Sequence, residues 1–203
     1  MQDHPGARIR PRERIVVTAC DLFHQHGIHG VGVDAIAEAA GTNKMTLYRH
    51  FGSKDDLIVE CLQTVASSAE AIWSDLEIAY PDDPLAQLHA WVRKAAECVI
   101  ADGRGCDLVN AAIELTDHDH PARRVIEAFK KSYRDHFTKL CSAAGAVDAE
   151  LLADTLSLLL EGARVSRQSV GPEGPSARFV MMSEAIIENL TRRESREKNT
   201  PHS

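Results

Sequence analysis

The chain has no uninterrupted apolar run of the roughly 20 residues that a membrane-spanning helix needs, so no transmembrane helix and no membrane partner are expected. Its first residues also lack the apolar core of a secretion signal, because His4, Arg8, Arg10, Arg12 and Arg14 interrupt them. The cytoplasm is therefore the expected compartment. Cysteine is sparse: Cys20, Cys61, Cys98, Cys106 and Cys141 are odd in number and form no CxxC pair. That argues against a disulfide framework or a zinc site and for reduced core thiols. Aromatic residues make up only 5% of a chain that is 44% hydrophobic, a balance suited to helices rich in Ala and Leu. No segment reads as a strand. No nucleophile–base pair, phosphate loop or metal motif is visible, which argues against an enzyme.

One more absence is local. No acidic residue occurs between Glu38 and Asp55. The stretch 33–54, VDAIAEAAGTNKMTLYRHFGSK, which leads into and fills this window, reads as a short helix, a tight turn and a second short helix. Ile36, Ala37 and Ala40 give the first helix an apolar face. Gly41 suits the left-handed position that ends a helix, and Asn43 is a good N-cap for the next. Leu47 and Phe51, one turn apart, turn to the core, leaving Thr46, Tyr48, Arg49 and His50 outward. With Thr42, Lys44 and Lys54 they offer cations and hydrogen-bonding groups. Such a face fits a DNA major groove, where phosphates take the charges and base edges the polar groups; the alternative is a solvated helix face.

The run AEAAGTNKMTLYRHFGSKDDL resembles the helix-turn-helix signature of the tetracycline-repressor (TetR) family of transcriptional regulators. Ile36, Ala37, Ala40, Gly41, Thr46, Leu47, Tyr48, His50, Phe51, Ser53, Lys54 and Leu57 match it. Thr42 and Asn43 replace the usual valine and serine, and Met45 stands where a small residue or proline is common. The resemblance implies an all-α homodimer that binds a palindromic double-stranded operator and, in most members, a small-molecule inducer. No cofactor is implied. On this reading Thr42, Lys44, Met45, Thr46 and Arg49 line the groove, Thr42, Tyr48, His50 and Lys54 hold phosphates, and Asn43 completes the interface. A ligand-responsive repressor is the expected function. The competing classes are an enzyme and a protein-interaction module whose helix-turn-helix no longer reads DNA.

The net charge of −7 is unevenly spread. Residues 1–56 carry seven basic and seven acidic groups, while the rest carries 16 basic and 23 acidic ones. Local patches, not global charge, would then set phosphate contacts. One patch is the basic run Arg8 to Arg14 that leads into the first helix, where Arg12 and Arg14, near the helix start, are candidate phosphate ligands.

The expected domains are a disordered terminus at 1–7, a helix-turn-helix domain at 8–54, a ligand-binding and dimerisation domain at 55–192, and a disordered tail at 193–203. About nine helices are expected. The first covers 11–26 and is stopped by Gly27. Gly32 N-caps the second, and Ser53 with Asp56 forms a capping box for a long helix over 54–79. That helix starts beside the DNA and ends in the second domain. Further helices are read at 85–102, 106–115, 121–144, 151–170 and 175–192.

The last two helices are apolar on more than one face, which suits packing against two neighbours. One neighbour is the chain's own core and the other the same helix pair of a second subunit, in an isologous four-helix interface. Leu152, Leu156, Leu159, Ala163, Val180, Met181 and Ile187 are the dimerisation candidates. The resemblance places an inducer among the helices of the second domain, with Trp91, Cys98, Asn110, Phe129, Tyr133, Phe137 and Glu161 as candidate contacts. Glu114 is a further polar group on an apolar helix. Asp117-His118-Asp119-His120 has metal-ligating residue types but no evident third ligand. Cys106 beside Arg104 is a candidate redox thiol, or a buried inert one.

Overall fold

A computed structural model describes residues 10–101 and 103–191; the expected disordered termini at 1–7 and 193–203 lie outside the described residues. Nine α-helices and no strand are found among them. These are α1 (Pro11–His26), α2 (Val33–Ala39), α3 (Lys44–Phe51), α4 (Lys54–Ala79), α5 (Pro84–Ala101), α6 (Asp107–Glu114), α7 (Pro121–Ala143), α8 (Ala149–Val170) and α9 (Phe179–Thr191). A short 3₁₀ turn, Pro175–Arg178, leads into α9, where the periodicity alone reads one longer helix. None of the described helices is long and apolar enough to cross a membrane.

Two compact units emerge. The first holds the described residues up to Ser67 together with Asp107–Ala128; the second holds Ser68–Cys106 and the described residues from Phe129 onward. Both α4 and α7 begin in the first unit and end in the second.

In the first unit, α1, α2 and α3 pack on one another around Ile15, Ala19, Ile36, Leu47 and Leu57, all fully buried. Helix α6 contributes Leu108 and Ala111 to the interior of this unit. Gly27 ends α1 with a positive φ of 76°. That left-handed backbone is what requires glycine; a Cβ there would stand 2.9 Å from Glu114 Oε1, the movable end of a flexible side chain. The same carboxylate accepts from the His29 backbone N–H at 3.1 Å.

The second unit is built on α5, α8 and α9. Its core includes Leu88, Trp91, Phe137, Leu152, Leu156 and Ile187, each almost wholly withdrawn from solvent. The Trp91 Nε1–H donates to Tyr133 Oη at 2.7 Å, which satisfies a donor that burial would otherwise leave stranded. Two thiols, Cys61 and Cys141, are buried as expected of core cysteines; Cys20 and Cys106 are half-buried and Cys98 is exposed.

Candidate nucleic-acid interface

The turn between α2 and α3 is closed by its own backbone. Thr42 N–H donates to Ala37 O at 2.9 Å and Gly41 N–H to Glu38 O at 3.0 Å. This is the paired closure that a left-handed residue after a helix permits, and Gly41 supplies it with φ 60°. The Asn43 Oδ1 then accepts from Thr46 N–H at 2.9 Å and starts α3. Ser53 and Asp56 do the same for α4. The Asp56 N–H donates to Ser53 Oγ at 3.0 Å, and the hydroxyl donates back to the carboxylate at 2.7 Å.

The caps fix which face of α3 turns out. Leu47 is fully buried and Phe51 nearly so, while Met45 is 82% exposed. Lys44, Tyr48, Arg49 and His50 are exposed alongside it, and Thr42 and Thr46 are half-buried at its edge. Lys44 Nζ reaches Asp34 Oδ2 at 3.1 Å. Both groups are largely in water, so this pair is weak and a phosphate can displace it.

Three cations expected to hold phosphates have partners inside the first unit. Arg14 donates from Nε to Ala40 O at 2.7 Å and from Nη2 to Gly41 O at 3.5 Å. It thereby satisfies carbonyls at the end of α2 that have no helical donor. Lys54 Nζ donates to Ile28 O at 2.7 Å and stands over the Phe23 ring at 5.8 Å. Burial pushes its ammonium below the usual lysine range, against the opposing pull of Asp55 and Glu114. Arg12 Nη1 meets Glu60 Oε1 at 2.8 Å and lies 5.1 Å from the Phe51 ring centre. Arg14 and Lys54 brace the motif, and the open cationic groups of the α3 face are Lys44 and Arg49.

Four of the seven candidate inducer contacts meet, and Cys98, Asn110 and Glu161 do not join them. Phe129, Tyr133, Phe137 and Trp91 pack into one aromatic cluster with tilted rings, at centroid separations of 4.3 Å for Trp91–Phe137 and 5.4 Å for Phe129–Tyr133. Cys98 is exposed. Glu161 is tied to Lys130. Asn110 belongs to the first unit, where it lines a cavity beside α1 and α4. In the Asp117–His120 turn, Asp117 Oδ1 accepts from Asp119 N–H at 2.9 Å and His120 Nε2 lies 3.4 Å from Asp55.

The dimerisation candidates divide. Leu152, Leu156, Ala163 and Ile187 face the core of their own unit, at 0, 0, 7 and 1% exposure. They are not on an open face, and Leu159 is packed against the same core. The open apolar residues of α8 are Leu151, Leu158 and Val165, 52, 68 and 57% exposed, and those of α9 are Val180, Met181 and Met182. Spacing by seven puts the α8 trio on one face. That repeat, visible in the sequence, is the signal that separates these positions from their neighbours.

Residues 15–61 match the profile described as bacterial regulatory proteins, tetR family. The HTH-type transcriptional regulator AcrR of Shigella flexneri is 29% identical over 93 residues, which are 46% of this chain and 43% of that protein. The HTH-type transcriptional activator FasR of Mycolicibacterium smegmatis is 40% identical over 52 residues, 26% of this chain and 24% of its own length. The chain thus spans less than half the length of these curated relatives. A likeness over nearly the whole chain is found with the crystal structure of SCO4454, a TetR-family transcriptional regulator from Streptomyces coelicolor. It is 30% identical with a TM-score of 0.83, covering 90% of this chain and 96% of that one.

Proposed function

The chain belongs to the TetR family of transcriptional regulators, and we propose that it acts as a homodimeric, ligand-responsive repressor of a palindromic operator. Members of this family are regulators and not enzymes. The observation that carries the reading is the outward face of α3: an acid-free helix, capped at Asn43, that presents Lys44, Met45, Tyr48, Arg49 and His50 to solvent. Arg49 is the residue best suited to a base edge, because a guanidinium donates two parallel hydrogen bonds to guanine. Lys44, Tyr48 and His50 supply phosphate contacts, and Thr42 and Thr46 border the groove.

Dimerisation through the exposed apolar faces of α8 and α9 sets two α3 helices in successive major grooves, about 34–36 Å apart. Leu151, Leu158, Val165, Val180 and Met181 are its contact residues. The inducer belongs to the second unit. Trp73 carries a buried Nε1 with no hydrogen-bond partner among the described residues, and its ring lies 4.8 Å from Tyr133 and 6.0 Å from His136. An inducer with an acceptor atom would satisfy that donor. Because α4 and α7 run through both units, a ligand that favours one arrangement of them shifts operator affinity by its differential binding.

Selection of bound sequences from a randomised duplex library at physiological salt tests the proposal. A palindromic motif is expected, and Arg49→Ala should lose it while remaining dimeric. Sequence-independent binding that disappears steeply with added salt would mean that α3 contacts phosphates alone, and the repressor reading would fall.

A further inference from the structure

Two of the cysteines meet inside the first unit. Cys20 lies on α1 and Cys61 on α4. The Cys61 Sγ stands 3.7 Å from the carbonyl oxygen of Val16. That carbonyl is the helical acceptor for the N–H of Cys20, four residues on, so Cys61 packs into the very turn of α1 that carries Cys20. Both line a cavity of about 30 Å³, together with Phe23, Asp107, Asn110 and Glu114. A cavity of roughly 10–15 Å³ by this measure holds one water molecule, so this one admits a molecule of a few atoms. It is far below the roughly 300 Å³ or more that a drug-sized ligand occupies.

We propose that Cys20 and Cys61 form an oxidisable dithiol whose substrate is hydrogen peroxide. Cys20, half-buried and open to the cavity, is the thiol attacked first. Its sulfur displaces one oxygen of the peroxide; the O–O bond breaks, Cys20 becomes a sulfenic acid and water leaves. Cys61 sulfur then attacks the Cys20 sulfur, the S–O bond breaks, a disulfide forms and a second water leaves with the thiol proton. Peroxide is the oxidant and is reduced to two waters. The order follows from burial: Cys20 is half-buried and reached through the cavity, whereas Cys61 is buried, 3% exposed, beneath it. The disulfide closes a ring around residues 21–60, which contain all of α2 and α3. The inference stands independently of what the helix-turn-helix reads.

The reduced full-length protein is treated with hydrogen peroxide and mapped by tryptic digestion without reductant. The expected result is a linked pair of peptides carrying Cys20 and Cys61, lighter by two hydrogens than the separate peptides, with two of the five thiols lost. The oxidised protein should also melt at a higher temperature, since a ring of this length restricts the unfolded chain. Cys61→Ser should leave a sulfenic acid on Cys20 that dimedone traps, and Cys20→Ser should leave Cys61 unreacted at the same dose. Recovery of both as free thiols at a dose that oxidises the exposed Cys98 overturns the proposal. So does capture of Cys20 in a disulfide with any cysteine other than Cys61. The map of the unmutated protein decides the matter even if a variant fails to fold.

Discussion

The guanidinium of Arg14, on α1, donates to the carbonyl oxygen of Ala40, at the end of α2, over 2.7 Å. This bond holds the first helix against the turn that aims α3. Arg14→Ala should destabilise the chain by about 1.5–3 kcal/mol, the range for hydrogen bonds from charged groups. A melting temperature lower by roughly 2–4 °C per kcal/mol is expected for a chain of this size. Operator affinity should fall with the misplaced α3, but the dependence of affinity on salt should keep its slope. A slope reduced by about one would instead place Arg14 on a phosphate.

Asn43 starts α3 with a single side-chain bond. Asn43→Ala removes it and should cost about 1 kcal/mol, whereas Asn43→Ser should restore most of the loss. Thermal melts of the two variants check the order, and operator titrations should rank them the same way.

Leu151 and Leu152 are neighbours in sequence with opposite surroundings, and Leu158 stands exposed between the buried Leu156 and Leu160, two residues to either side. Leu158→Asp should leave the stability of the subunit within about 0.5 kcal/mol, as for ordinary surface changes, yet yield monomers in sedimentation equilibrium. Leu152→Ala should destabilise the fold by roughly 2–5 kcal/mol through the cavity it opens. A Leu158→Asp protein that stays dimeric would move the interface away from this face of α8.

Burial pushes the Tyr133 phenol up to about 12, opposed by the hydrogen bond it accepts from Trp91. The unfolded chain ionises this group near 10, so the folded form is favoured fully below pH 10. That share of stability is lost as pH rises from about 10 to about 12. Tyr133→Phe removes this pH dependence. It also strands the Trp91 Nε1–H, at a cost of roughly 1–3 kcal/mol near neutral pH. Denaturant melts of both proteins at pH 8 and pH 11 check the two effects.

Local chemistry was readable from residues alone. Gly41, Asn43, Ser53 and Asp56 act on groups within a few positions, so their caps follow from the sequence, as do the inward turn of Leu47 and Phe51. Arg14 and Lys54 reach carbonyls 26 residues away. Their positive charge is visible in the sequence, but their acceptors depend on how helices pack. On α8 the seven-residue repeat of Leu151, Leu158 and Val165 marks the outer face in the sequence, but that Leu152 and Leu156 face the core follows only from the packing of α5 and α9 against it. Asn110 illustrates the same limit: α6 carries it back to α1 and α4, across a long stretch of chain.

The left-handed backbone at Gly27 has a consequence for descent. A positive φ disfavours a side chain at 27 whatever stands at 114, whereas the Glu114 carboxylate sits at the free end of a flexible side chain and can swing aside. Across a collection of diverged descendants, position 27 should therefore keep glycine while position 114 varies.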